Sequence, residues 1–509
     1  MQPSRATTTS RVPLASGLTR EYLLHHGVCP QEFTPDTREL IVAAEPDALI
    51  EACTDELRSA YGSPISFLTI PRPELEGRIE RLCAGSATDV ELSSVDDEWA
   101  AQGADGEVAA DVRDLASQPP VVRYVNLLVR DAYDAGASDV HLEATRTGLE
   151  ARFRLDGVLA PAPEPPAALA QAIVSRVKLL AELDIAERRR PQDGRIRVRL
   201  AARELDLRVS TVPTVFGESV VLRLLDRGGR PVELEELGMP PSLLAGMSQL
   251  SRRPHGLVLV TGPTGSGKTT TLYACLRQRD SSVEKIITVE EPVEYEFPGV
   301  TQVPVHGRSG VSFAGALRSI LRHDPDVVMV GETRDSETAE VAIQAAMTGH
   351  LVFSTLHTND SIGAVPRLLD LGVPPYLVAA TLEGVLAQRL VRRICDSCRV
   401  PSNPPEEALQ QLASGGIRSG GNSLFALPKL TRGAGCPSCR GTGFNGRVGI
   451  YELLVVTDDL KDAITRGAGR RELREVALQN GLVELRSDGW EKVCAGITTV
   501  EEVLRVVKS

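Results

Sequence analysis

The stretch Leu257–Thr271, LVLVTGPTGSGKTTT, constrains this chain more than any other. Leu257–Val260 is an apolar, β-branched run with the length and flanks of a buried parallel strand. Gly262–Thr269, GPTGSGKT, then matches G-x-x-x-x-G-K-[ST], a loop whose backbone N–H groups curl around phosphates. Glycines permit that curl, Lys268 brings positive charge to the β- and γ-phosphates, and Thr269 offers a hydroxyl to Mg²⁺. Leu272 and Leu276, one turn apart, predict a following helix whose positive N-terminal end faces the anion. The candidate binding set is Gly262, Pro263, Thr264, Gly265, Ser266, Gly267, Lys268, Thr269 and Thr270. Strand, loop and helix in this order predict a nucleoside-triphosphate site.

The 509 residues leave room for roughly three or four domains. Residues 229–394 alternate strand-like and helical patterns, which predicts a mostly parallel sheet covered on both faces. In such sheets ligands sit at the carboxyl ends of the strands. Ile286–Val289 is followed by Glu290 and Glu291, Val327–Val330 by Gly331 and Glu332, and Leu351–Thr355 by Leu356 and His357. Three strands therefore end in titratable groups on the edge where the loop lies. Carboxylates there can position Mg²⁺ or orient the attacking water, because phosphoryl transfer is mainly positioning and charge stabilisation.

The rest of the chain is organised around this core. Residues 1–95 mix helical patterns with strand-like runs, Glu39–Ala44 and Pro64–Ile70, as a small α/β domain without a catalytic constellation. Residues 96–118 are acidic and rich in Ala and Gly, a flexible linker. Ser117 and the following Pro pair open a helix with Val121, Val125, Leu128, Val129 and Ala132 on one face, ended by Gly136. Leu149–Asp156 alternates strictly, and Arg195–Leu200, Glu204–Val209 and Val220–Leu225 do so more loosely. Residues 119–228 thus read as helices with a half-buried antiparallel sheet whose outer face is rich in arginine. Most of those arginines read as a solvated face, with Arg195 and Arg208 the candidates for more. Residues 441–509 carry helical patterns at Arg471–Leu482 and Val500–Val507.

Charge and cysteines narrow the class. Residues 1–120 hold 21 acidic and 9 basic side chains, no lysine among them, so they carry the whole net charge of −12. An acidic front, a balanced body and 4% aromatic residues argue against a nucleic-acid motor, the main rival class for this core. No stretch approaches the ~18 apolar residues of a membrane span, and the start lacks a signal-peptide core, so a cytoplasmic chain is expected. Of nine cysteines, Cys395 and Cys398 form one C-x-x-C pair and Cys436 and Cys439 another, which suits tetrahedral Zn²⁺. Cys29, Cys53, Cys83, Cys275 and Cys494 read as buried apolar residues.

From about residue 120 onward these words together resemble the secretion ATPases of type II secretion and type IV pilus systems. Thr288–Glu294 (TVEEPVE) is similar to that family's Asp box, with Glu291 in place of the Asp and Glu290 left as the carboxylate that activates water. Asp326–Asp335 is similar to its Walker B segment, with Gly331 where most loop ATPases have Asp and Glu332 carrying the role. Thr348–Thr358 is similar to its His box, with His357 sensing the γ-phosphate. Ala137–Glu143, Arg152–Gly157, Leu183–Ile196 and Leu207–Pro213 also match family segments, and there Arg195 and Arg208 would be lent to the nucleotide.

The resemblance implies an α/β multidomain fold: a RecA-like P-loop core, a preceding PAS-like α+β domain and a tetracysteine zinc insertion at 395–440. It also implies hydrolysis of ATP with Mg²⁺ in a hexameric ring. Residues 1–95 would dock on the cytoplasmic part of a bitopic inner-membrane subunit, with a polytopic platform protein as a second partner and no nucleic acid. The chain would then lie peripherally on the inner membrane. The zinc motif and the short, plain first domain favour type II secretion over type IV pilus assembly. An intact Lys268, Thr269, Glu290 and Glu332 argue against a scaffold that binds nucleotide without turnover.

Overall fold

The structure is a computed structural model that describes residues 23, 26–34, 40–46, 50–61, 63–72, 74–75, 78–79, 90–91, 116, 118–200, 203–226, 232–305, 312–413 and 430–507. Most of the expected 96–118 linker, Cys83 and residues 414–429 between the cysteine pairs lie outside them. The chain divides into two units, Met1–Gly228 and Gly229–Ser509. Among the described residues, no helix is long and apolar enough to cross a membrane.

Among the described residues, the first unit holds two sheets. In the smaller, Leu40–Ala44 pairs antiparallel with Val28–Phe33 and parallel with Ile65–Thr69. The larger has seven strands in the order Val90–Glu91, Gln192–Leu200, Arg203–Thr214, Gly217–Asp226, Asp139–Thr145, Gly148–Leu155 and Val158–Pro161. Apart from the parallel pairing of Val90–Glu91 it is antiparallel, as the alternating patterns require. Leu149, Ala151 and Phe153 point into a core closed by the helices Pro119–Asp134 and Ala170–Leu180. The first helix buries Val121, Tyr124, Val125, Leu128, Val129 and Ala132, and the Pro pair supplies its first residues.

The second unit is built on a seven-stranded sheet, labelled in chain order β1 (Gly256–Thr261), β2 (Ile286–Glu290), β3 (Val300–Pro304), β4 (Val327–Val330), β5 (Leu351–Leu356), β6 (Leu382–Ile394) and β7 (Phe444–Val455). Their spatial order is β3-β2-β4-β5-β1-β6-β7; β1 to β6 run parallel and β7 is antiparallel to β6. Every residue of β1, β4 and β5 is buried, which is why these strands are continuous apolar runs with no alternation. Leu257 and Leu259 face one core and Val258 and Val260 the other, so both faces of the sheet are sealed by helices. The segment from 441, read from sequence as helical, opens instead with β7 at the edge of this sheet; helices follow only from Asp458.

Candidate functional site

β1 ends at Thr261 and the helix Lys268–Leu276 begins after Gly267, whose φ of 86° lets the chain turn into the helix where a side chain would strain. Lys268 Nζ donates to the carbonyls of Gly262 (2.9 Å) and Pro263 (3.1 Å), so the ammonium is folded across its own loop. Burial holds it below its ordinary range; Glu332 opposes that effect and Arg389 adds to it.

Two of the three strand-end groups come together beside it. Glu332, 14% exposed, lies with one oxygen 3.6 Å from His357 Nε2 and the other bound by Arg334. Arg334 also approaches Glu291 at 3.9 Å. Asp335 accepts from Thr338 N (2.8 Å) as the N-cap of the next helix, which fixes the turn that presents Glu332 and Arg334. Thr355 Oγ1 donates to Gly331 O (2.7 Å), tying that turn to β5. A Cβ on Gly331 would meet Val289 O at 3.2 Å, so a side chain here would require that carbonyl to shift by a few tenths of an ångström.

Glu290, expected to activate water, lies in a buried hydrogen-bonded cluster. It is 3% exposed and accepts from Tyr273 Oη, from Thr288 Oγ1 (2.5 Å) and from Gln302 Nε2 (3.2 Å). Burial and this carboxylate push the Tyr273 hydroxyl well above its ordinary value, so it remains the proton donor. Successive side chains of a strand point to opposite faces. Glu290 therefore turns under the helix that follows the phosphate loop, while Glu291 is the one near Arg334. Glu290 is thus more enclosed than Glu332, which is 14% exposed beside His357.

In the first unit, strand register lines up what sequence order could not. Arg195 sits opposite Arg208, and Arg208 opposite Arg223, across three neighbouring strands. Arg223 Nε is 3.0 Å from Asp139, itself buried. Like charges directly opposite one another destabilise a sheet, so a row of this kind is suited to facing an anion. Arg223 was missed from sequence because only the register reveals it. Arg334, Gln388 and Arg389 were also missed, although a Gln-Arg pair inside the apolar run of β6 is a legible signal.

The four paired cysteines converge: their Sγ atoms all lie within 4.8 Å of one another. Cys395–Cys436 and Cys398–Cys439 are 3.8 Å apart and Cys436–Cys439 3.6 Å. A tetrahedral ion with metal–sulfur bonds of ~2.3 Å requires sulfur–sulfur edges of ~3.8 Å, so the set fits such an ion. Backbone N–H groups of Cys436 (3.1 Å) and Gly443 (3.3 Å) point at Cys439 Sγ and favour its thiolate form. Cys29, Cys53 and Cys275 are buried and Cys494 is partly exposed.

Comparison with known proteins agrees with this geometry. The family model described as "Type II/IV secretion system protein" matches residues 114–505. Type II secretion system protein HxcR of Pseudomonas aeruginosa is 49% identical over 78% of this chain and 80% of its own length. Type II secretion system protein E of Xanthomonas campestris is 43% identical over 99% of this chain and 87% of its own. Among solved structures, the pilus retraction motor PilT with bound ADP superposes with a TM-score of 0.52 at 28% identity, over 75% of this chain and 96% of that one. A family match over most of the chain, and relatives at this identity over most of both partners, leave one assignment: the chain belongs to the type II/IV secretion system protein family.

Proposed function

We propose that this chain is the ATPase of a type II secretion system, converting ATP hydrolysis into assembly of the secretion pseudopilus. The observation that carries the reading is Lys268, Glu332 and His357 gathered at the carboxyl edge of the parallel strands, in a chain whose relatives include type II secretion proteins. The core is assigned as RecA-like and the sheet domain before it as PAS-like. The loop from Gly262 to Thr270 cradles the phosphates, and Lys268 leaves its carbonyl partners to meet the β- and γ-oxygens. Mg²⁺, held by the Thr269 hydroxyl, would neutralise charge on those oxygens. Glu332 orients the attacking water, His357 reads the γ-phosphate beside it, and Arg195 and Arg208 are assigned to the same phosphate. Zn²⁺ on Cys395, Cys398, Cys436 and Cys439 is structural, with no open position for chemistry. Type IV pilus assembly is the second reading, since the type IV pilus assembly ATPase PilB of Myxococcus xanthus is 42% identical over 91% of this chain.

Glu332→Gln tests the catalytic assignment. It keeps shape and hydrogen bonding but removes the carboxylate, so turnover should fall about 10²–10⁴-fold while ATP binding persists. Equilibrium binding of a fluorescent ATP analogue beside phosphate release reads both; loss of binding would show the role misplaced.

The hexameric ring would be held at the membrane by a bitopic inner-membrane subunit docked on residues 1–95, with a polytopic platform protein as the second contact. Residues 1–120 carry a net charge of −12, which an anionic leaflet repels, so a protein anchor is favoured over lipid. Deleting residues 1–95 should leave an ATPase that binds nucleotide but no longer sediments with membranes or supports secretion. Continued membrane fractionation of the truncated chain would place the anchor elsewhere.

A further inference from the structure

The phosphate loop rests on two polar side chains of β6, Gln388 and Arg389, 2% and 6% exposed between the apolar residues Val385–Ala387 and Leu390–Val391. Gln388 Nε2 donates to Ser266 O in the loop (2.6 Å), and its Oε1 accepts from Thr271 Oγ1 on the following helix (2.7 Å). One side chain thus ties the loop to the helix that follows it. Arg389 Nη1 donates to Gln388 O (2.9 Å) and Nη2 to Asn359 O (2.7 Å), on the segment that carries His357. That segment is tied to the loop a second time, because Thr358 N donates to Thr261 Oγ1 (2.9 Å) at the end of β1.

The loop glycines show how closely the parts are fitted. A Cβ on Gly262 would meet Gln388 O at 2.6 Å and Arg389 Nη1 at 3.1 Å, and one on Gly267 would meet Gln388 Nε2 at 2.9 Å. Their φ values of 155° and 86° disfavour a side chain as well. These glycines therefore serve the contact with β6 as much as the approach of the phosphates. Burial lowers the Arg389 guanidinium below its ordinary value, and Glu452 and Asp360 partly offset this.

We propose that Gln388 and Arg389 are positioning residues for nucleotide binding: Gln388 holds the loop in its phosphate-ready curl, and Arg389 locks the His357 segment to it. The proposal rests on the ATPase reading above. Neither residue contacts phosphate in this scheme. Both cut the ordering that the loop must undergo when nucleotide enters, which places their effect on affinity more than on the chemical step.

The test uses the full chain. Gln388→Met keeps length but removes both hydrogen bonds. It should raise the KM for ATP and the dissociation constant of a fluorescent ADP analogue in parallel, about tenfold, with kcat within about threefold of the parent. Thr271→Val removes one of the two bonds and should give about a threefold rise; combined with Gln388→Met it should add nothing, since the partner is already gone. Arg389→Lys retains charge but cannot span two carbonyls, so it should behave like Arg389→Met.

A merely structural role predicts lower melting temperature and kcat with KM unchanged, and that outcome overturns the proposal. So does restoration of the parent KM by Arg389→Lys, which would make charge and not span the cause. If Gln388→Met fails to fold, Thr271→Val decides: an unchanged KM sinks the idea. Lys268→Ala runs alongside. Normal turnover there would overturn the assignment of the site itself, whereas an inactive Lys268→Ala beside parent-like Gln388 variants would overturn only this inference.

Discussion

Replacing Lys268 by alanine should abolish measurable ATP hydrolysis, a loss of about 10³-fold or more, and weaken nucleotide binding as well. Lys268 is the cation of the phosphate loop itself, and its present partners are two carbonyls of that loop, Gly262 and Pro263. Exchanging those neutral acceptors for anionic phosphate oxygens opposes the lowering that burial imposes on the ammonium. Arg389 cannot stand in, because it is buried and committed to the Gln388 and Asn359 carbonyls. The fold should survive, since the lost bonds are local to the loop and both faces of β1 remain packed. Phosphate release and thermal melting of the purified variant check the two halves of this expectation. Near-normal turnover would mean the loop is not the site of hydrolysis.

The second large effect is expected at the cysteines. Metal analysis of freshly reduced protein should find one zinc per chain, and Cys395→Ser should lose it. The ion would close the 37 residues between Cys398 and Cys436 into a loop. The entropy of such a closure corresponds to ~4 kcal/mol of stability, about 5–10 °C in melting temperature for a unit of this size. The site also sits where β6 ends and β7 is about to begin, with Cys395 N donating to Gly443 O (3.0 Å). Loss of the ion should therefore loosen the far end of that hairpin first. The paired stretch from Gly384 to Arg392 continues to hold β6 beside β1. Nucleotide binding at low temperature should accordingly persist in Cys395→Ser. A parent-like protein without zinc would refute the metal assignment.

The surroundings of single residues are set by the fold, and Glu290 shows how. As a strand-end acid it looked equivalent to Glu332. In the fold it is enclosed by Tyr273, Thr288 and Gln302, while Glu332 stays within reach of His357 and Arg334. The two acids share a sequence context but not their surroundings: Glu290 is 3% exposed, whereas Glu332 is 14% exposed beside His357.

Much of this protein was legible in its sequence, for a definite physical reason. Strands buried on both faces must be apolar runs, so β1, β2, β4 and β5 announce themselves, and the glycine-lysine loop between β1 and its helix permits few other uses. The C-x-x-C pairs are equally local, since two thiolates one turn apart already describe half of a tetrahedron. Only tertiary structure decided the rest. It placed β7 in the sheet across the 49 residues between Ile394 and Phe444, aligned Arg195, Arg208 and Arg223 into one row, and set Gln388 and Arg389 beneath a loop more than a hundred residues earlier. Contacts of that kind depend on strand order and register, which periodicity along the chain does not encode.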